Sequence, residues 1–186
     1  MPAAPTDFAA PGPWPSTRAA WGGTLAILAL LAWSGVGAYD PGTWLMEVAP
    51  VLIALPLLLA TRRRFPLTPL LYGLIALHMA VLMLGGHYTY ARVPLGHWLQ
   101  QWFGFERNHY DRIGHLMQGF VPAIVARELL LRLTPLSRPD MRGGWLFTLV
   151  TAVCLAISAL YELIEWGAAV ALGAGADEFL GTQGDP

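Results

Sequence analysis

Five mostly apolar stretches, each close to the length needed to cross a bilayer, constrain this chain more than any other feature. A hydrocarbon core of about 30 Å requires about 20 apolar residues in a helix. The five stretches are Trp21–Tyr39, Trp44–Ala60, Leu67–Gly86, Tyr110–Leu131 and Trp145–Ala171. The sequence therefore predicts an all-α fold, a polytopic transmembrane helix bundle of about five spans.

The composition agrees with a membrane protein. Of 186 residues, 55% are hydrophobic and 12% are charged, whereas an average soluble domain carries about 25% charged residues. The net charge of −1 provides no basic surface for nucleic acid, and the single cysteine excludes an internal disulfide. Membrane lipid is thus the expected partner, and the oligomeric state stays open.

Three regions are expected along the chain. Residues 1–20 are rich in proline and alanine and are predicted to be flexible. Residues 21–172 form the transmembrane domain, and residues 173–186 form a tail outside the cytoplasm. A cleaved signal peptide is the alternative for the first stretch, since Gly35–Ala38 offers small residues for cleavage.

Arginines in the loops predict the orientation, because cytoplasmic loops of membrane proteins are enriched in basic residues. Two loops carry them: Arg62, Arg63 and Arg64 in one, and Arg132, Arg138 and Arg142 in the other. Five crossings place both loops on the same side, which we expect to be cytoplasmic together with the N-terminus. The outer segments then carry most acidic loop residues: Asp40, Glu47, Glu106, Asp177, Glu178 and Asp185.

The segment between the third and fourth stretches, residues 94–109, is too polar to cross the membrane. Its apolar residues recur with helical spacing at Leu95, Trp98, Leu99, Trp102 and Phe103. Tryptophan prefers the membrane interface, so we expect an amphipathic helix on the outer leaflet. A loop packed over the bundle is the alternative.

Two pairs of ionisable residues interrupt the apolar stretches at one predicted depth. Asp111 and His115 are spaced i, i+4, and Glu162 and Glu165 are spaced i, i+3, so each pair shares a helix face. A rise of 1.5 Å per residue places His115 about 7 Å from the outer boundary and the glutamates about 25–30 Å from the inner one. An ionisable group inside a membrane is costly without a partner or a function. The sequence therefore predicts a polar site near the outer boundary.

The predicted ligand pocket has seven members, which share a position near the outer boundary: His87, His109, Asp111, His115, Glu162, Glu165 and Asp177. Oxygen and imidazole groups suit a divalent cation. The candidate metal ligands are Asp111, His115, Glu162 and Glu165, and a divalent metal ion is the candidate cofactor. No catalytic residue is assigned.

Structural roles are the alternative for these residues. Asp111 would cap the fourth helix, His115 would be a hydrogen-bonded core histidine, and the two glutamates would be interface residues. His78, in the middle of the third stretch, is expected to be a buried hydrogen-bonding residue. Glu128 and Arg132 are spaced i, i+4 and predict a structural ion pair at the cytoplasmic interface.

Four short runs carry a family resemblance: Tyr110-Asp-Arg-Ile-Gly-His-Leu-Met-Gln-Gly-Phe, Ala126-Arg-Glu-Leu-Leu-Leu-Arg132, Tyr161-Glu-Leu-Ile-Glu-Trp166 and Ala176-Asp-Glu-Phe-Leu-Gly-Thr-Gln-Gly-Asp185. They are similar to the bacterial inner-membrane family that includes YjdF, over at least Leu67 to the end of the chain. The resemblance implies a helical protein of the bacterial inner membrane and adds no established activity. It also implies that family members continue past Gly184-Asp185 with a Trp/Asp-rich stretch and a sixth span.

A more distant similarity is to VanZ-like membrane proteins. The shared positions are an Asp-x-x-x-His at the start of a span, a later glutamate and a further acidic residue, here Asp111, His115, Glu162 and Asp177. That similarity implies a link to envelope glycolipids or the antibiotic response, and hence a site facing lipid head groups.

Three functions are compatible with these features. The first is a binding protein whose outward-facing pocket takes a lipid head group or a small envelope metabolite. The second is a metal-dependent intramembrane hydrolase that uses the same residues to activate a water molecule. The third is a structural or assembly subunit. Whether the chain is an enzyme is left open by the sequence.

Overall fold

The computed structural model describes residues 17–137 and 143–172, which fold into helices without a strand. In chain order, the elements are α1 (Thr17–Gly35), α2 (Pro41–Thr61), α3 (Pro69–Tyr88), a 3₁₀ turn (Tyr90–Arg92), α4 (Pro94–Phe103), α5 (Tyr110–Leu133), a second 3₁₀ turn (Pro135–Ser137) and α6 (Gly144–Leu172). Each of the five predicted stretches coincides with a long helix, so the predicted all-α fold class is confirmed. The predicted flexible N-terminal region and outer tail lie largely outside the described residues.

Three of the described helices are long and apolar enough to cross a membrane by themselves, namely Pro41–Thr61, Pro69–Tyr88 and Gly144–Ala171. The two other long helices are more polar. α1 includes Arg18, and α5 includes charged residues near both of its ends. Both pack against α3, although most side chains of α1 are exposed.

Helix α3 is the centre of the bundle. It packs against α1, α2 and α5, and α6 packs against α5. Val48 and Val51 of α2 and Met83 of α3 are completely buried in the main core. Large apolar side chains such as Trp145 and Phe147 on α6 are 66% and 74% exposed. Such exposure suits a helix face that contacts lipid tails.

The two ends of the bundle differ chemically. At one end, the loop after α1 meets the end of α3, where Tyr39 donates its N–H to the His87 carbonyl over 2.9 Å. We name this the site end.

The opposite end, named the arginine end, contains Arg62, Arg63, Arg64 and Arg132. Arg132 Nη1 donates to Glu128 Oε1 over 2.7 Å and also to the Pro66 carbonyl over 2.7 Å. The expected Glu128–Arg132 pair is therefore present, and it fastens α5 to the loop before α3. Arg138 and Arg142 lie outside the described residues.

The predicted amphipathic segment forms α4. Its tryptophans, Trp98 and Trp102, are 56% and 76% exposed, and Phe103 is 66% exposed. The apolar stripe therefore points away from the bundle rather than packing over it. This arrangement favours the expected position of α4 at a membrane interface.

Helix α2 begins with a side-chain cap. Asp40 Oδ1 accepts a hydrogen bond from the Thr43 N–H at 2.6 Å, and this bond holds the pKa of Asp40 below its ordinary value. Since the folded-state pKa is depressed, the cap stabilises the fold above the unfolded-state pKa of aspartate, about 4. The stabilisation is lost as the pH falls through the folded-state pKa.

Replacing Asp40 tests this cap. We expect Asp40→Ala to lower the free energy of unfolding in detergent by about 1 kcal/mol at neutral pH, measured by denaturant titration. The difference from the parent protein should shrink toward acidic pH. Asp40→Asn is the matched control, because asparagine caps a helix without titrating. A pH-independent effect of Asp40→Ala would contradict the assignment.

Candidate functional site

A polar pocket lies at the site end, between α2, α3, α5 and α6. Its volume is about 190 Å³. The polar side chains that line it come from four helices and the first 3₁₀ turn: Glu47, His78, Tyr90, Asp111, His115, Gln118, Tyr161 and Glu165. The cavity therefore concentrates polar chemistry within an otherwise apolar bundle.

Glu47 is the most buried acid of the pocket, with 3% of its surface exposed. Its Oε2 atom accepts hydrogen bonds from the Tyr90 hydroxyl at 2.9 Å and from the Tyr161 hydroxyl at 3.3 Å. Burial of a carboxyl group is costly unless donors replace its water. The two tyrosines supply those donors and thereby connect α2 with α6.

The position of Glu47 corrects the sequence analysis, which assigned it to an outer segment. Asp40 starts α2 at Pro41, so Glu47 lies inside the helix and faces the bundle rather than water. The error arose because the two compensating tyrosines are distant in sequence, at 43 and 114 residues. Acidic side chains are rarely fully buried, so the residue type alone favours an exposed position for Glu47.

Two glycines create the space for the Tyr90 ring. A Cβ atom at Gly85 of α3 would lie 2.5 Å from Tyr90 Cζ, and one at Gly114 of α5 would lie 2.9 Å from Tyr90 Cε1. The ring therefore fits between α3 and α5 only because both positions lack a side chain. Burial raises the pKa of the Tyr90 hydroxyl well above its ordinary value, so the hydroxyl stays protonated and donates to Glu47.

Asp111 and His115 occupy one side of the pocket, as their i, i+4 spacing predicts. Asp111 Oδ2 lies 3.7 Å from Arg107 Nη2, and His115 Nδ1 lies 3.9 Å from Glu162 Oε1. The N-cap of α5 is His109, without a side-chain capping bond. Asp111 therefore does not have the capping role considered as its alternative.

Two buried polar atoms of the pocket residues have no hydrogen-bond partner within the described part of the chain. They are Asp111 Oδ1 and His78 Nε2. An unpaired buried polar atom costs about 1–3 kcal/mol. His78 thus departs from the expectation of a hydrogen-bonded core residue, since its Nε2 atom has no partner among the described residues.

The structure brings together part of the predicted site. Asp111, His115 and Glu165 line the pocket, and Glu162 approaches it through His115. His87 instead stacks on Trp33 and bonds the Ser34 carbonyl, so it belongs to the α1–α3 contact.

Of the two remaining members, only His109 belongs to the described residues, and it does not line the pocket. His109 packs edge-on against Phe105. Asp177 lies outside the described residues. The seven-residue ligand pocket accordingly stays a prediction.

Sequence reasoning missed several residues that line the pocket, namely Glu47, Tyr90, Gln118 and Tyr161. One signal was visible for Tyr161, because it precedes Glu165 by four residues and therefore shares its helix face. Tyr90 carried no such signal, because it follows α3 in a short turn and reaches the pocket only through the gap between two glycines.

The described residues contain no group of three or more His, Cys, Asp or Glu side chains arranged to hold a metal ion. His115 and Glu162 are about half exposed, at 54% and 57% of their side-chain surface, whereas Glu165 is partly buried on the same helix. The metal site formed by Asp111, His115, Glu162 and Glu165 stays a prediction.

Comparison with known proteins decides the family. A family model described as "Predicted membrane protein (DUF2238)" matches residues 19–186. The chain belongs to this family. Inner membrane protein YjdF of Escherichia coli (strain K12) is 57% identical over 162 residues, which cover 87% of this chain and 75% of that protein. No solved structure matches the chain.

Membership makes the chain an integral inner-membrane protein and confirms the resemblance seen in its motifs. Those motifs supply much of the pocket: the run from Tyr110 contributes Asp111, His115 and Gln118, and the run from Tyr161 contributes Tyr161 and Glu165. The similarity to VanZ-like proteins rests on sequence positions alone and stays a prediction.

The glycine gap around Tyr90 is testable within one helix. We expect Gly114→Ala to destabilise the protein by about 1–3 kcal/mol, because the new methyl group collides with the Tyr90 ring. Gly119→Ala is the matched control, since a Cβ there meets nothing within 4 Å and alanine favours a helix. Denaturant titration in detergent measures both. Equal effects of the two substitutions would contradict the packing argument.

The buried carboxyl network is testable by a double-mutant cycle. We expect Tyr90→Phe to cost about 1–3 kcal/mol of unfolding free energy, because Glu47 loses a donor. In a Glu47→Leu background the same change should cost at least about 1 kcal/mol less. Tyr39→Phe is the control, because Tyr39 is 49% exposed. Additive effects of Tyr90→Phe and Glu47→Leu would show that the two side chains are not coupled.

Proposed function

We propose that this protein is an inner-membrane binding protein whose polar pocket takes a lipid head group or a small envelope ligand. The observation that carries the proposal is that two side chains lining a cavity of about 190 Å³, those of Asp111 and His78, each hold a buried polar atom, Oδ1 and Nε2, without a partner among the described residues. A ligand that hydrogen-bonds both atoms removes their desolvation cost, and the fold then gains stability on binding.

The charge of the pocket indicates the chemistry of the ligand. Three carboxyl groups line it, from Glu47, Asp111 and Glu165, and the described lining residues include no lysine or arginine. A pocket of this kind suits a group that donates hydrogen bonds or carries positive charge, such as an amine. Phosphate-bearing groups are disfavoured at the same position, because carboxylates repel them.

The depth of the pocket supports a head group rather than a lipid tail. Glu47 and His115 lie in the second turns of α2 and α5, about 7–9 Å from the start of each helix. The exposed stripe of α4 indicates a membrane interface at this same end. With the arginine end in the cytoplasm, as the positive-inside rule predicts, the pocket faces outward.

The binding function is tested by the molecules that co-purify with the protein in mild detergent. We expect a bound lipid or small amine in the parent protein, identified by mass spectrometry. Its occupancy should fall about tenfold or more in Asp111→Asn and Glu165→Gln, because a hydrogen bond to a charged group is worth about 1.5–3 kcal/mol.

Glu106→Gln is the matched control for Glu165→Gln. It makes the same chemical change at an exposed residue that does not line the pocket, so its replacement should leave occupancy unchanged. A ligand that persists in both pocket variants would overturn the proposal. Elemental analysis of the same samples adds a second criterion: one equivalent of a divalent metal, lost in both pocket variants, would favour the hydrolase instead.

A further inference from the structure

A second and larger cavity lies at the arginine end, between α1, α2 and α3. Its volume is about 610 Å³. α1 and α2 each pack mainly on α3 rather than on each other, so a groove remains between them. It shares no residue with the polar pocket and extends from Arg62 and Arg63 down to Met79.

The walls of this groove are apolar and its width comes from small residues. Its lining includes Ala20 and Gly23 of α1 and Gly73 and Ala76 of α3. A Cβ atom at Gly23 or Gly73 would meet nothing within 4 Å, which shows that both positions border open space. Long side chains at these positions would close the groove.

The length of the groove corresponds to one leaflet. Along α3 it extends from Pro69 to Met79, which is about 15 Å at a rise of 1.5 Å per residue. Half of a hydrocarbon core of about 30 Å is the same length. A fatty acyl chain that enters at the arginine end therefore fits the groove.

Two arginines lie at the mouth of the groove. The Arg62 guanidinium lies 4.7 Å from the centre of the Trp21 ring, and this contact joins the end of α2 to the start of α1. Arg63, its neighbour, is exposed. A guanidinium that stacks on an aromatic ring keeps its in-plane donors for an oxygen ligand. None of the described residues that line the groove is acidic.

We propose that this groove binds an anionic diacyl phospholipid of the cytoplasmic leaflet, with one acyl chain between α1 and α3 and the phosphate at Arg62 and Arg63. Charge complementarity selects this occupant: an apolar groove alone accepts any lipid, whereas two arginines at its mouth favour a head group with net negative charge. Basic pockets between transmembrane helices on the cytoplasmic side bind such head groups in general.

The test is native mass spectrometry of the full chain in detergent, with phosphatidylglycerol and phosphatidylcholine that carry identical acyl chains. We expect one phosphatidylglycerol molecule to bind with about tenfold preference over phosphatidylcholine. Arg62→Gln with Arg63→Gln should abolish this preference. The double variant Arg64→Gln with Arg127→Gln should retain it, because it removes the same charge from residues that do not line the groove.

Gly73→Leu tests the acyl chain independently of charge. Leucine is a good helix former and its side chain would enter the open space beside Gly73, so the variant should fold with an unchanged thermal midpoint. Because the leucine side chain fills the groove, we expect the variant to bind neither lipid there. Glu165→Gln should leave phosphatidylglycerol binding unchanged, which separates this site from the polar pocket. Equal affinity for the two lipids, equal losses in both double variants, or full binding by Gly73→Leu would each overturn the proposal.

Discussion

The burial of one carboxyl group, that of Glu47, is the constraint on which the site end of this protein depends. Removing that group from water within an apolar bundle requires donors, and Tyr90 and Tyr161 provide them from two separate parts of the chain. The same hydrogen bonds connect α2, the 3₁₀ turn after α3, and α6. The hydrogen bonds that stabilise the buried Glu47 therefore also join the elements that line the polar pocket.

Close packing around α3 makes this arrangement possible. Gly85 and Gly114 leave room for the Tyr90 ring, and Gly86 lets α2 approach, since a Cβ there would lie 3.1 Å from Glu47 Cβ. In a bilayer, helices associate through close packing and polar contacts rather than through a hydrophobic driving force. Small residues and a buried polar network are thus the expected means of holding such a bundle together.

The two ends of the bundle differ in the chemical groups that they present. The site end presents carboxyl and imidazole groups inside a small cavity, whereas the arginine end presents guanidinium groups above a long apolar groove. This asymmetry agrees with the expected orientation, in which the arginine end lies on the cytoplasmic side.

The sequence by itself determined the five long helices, the amphipathic α4, the Glu128–Arg132 pair and the shared faces of Asp111 with His115. These features follow from apolar length and helical spacing, which are local properties. The tertiary structure alone decided that Glu47, His78, Tyr90 and Tyr161 join the pocket and that His87 belongs to another contact. The physical reason is that a buried polar group is stabilised by partners distant in sequence, and only the packing of α2, α3, α5 and α6 determines which partners come within hydrogen-bonding distance.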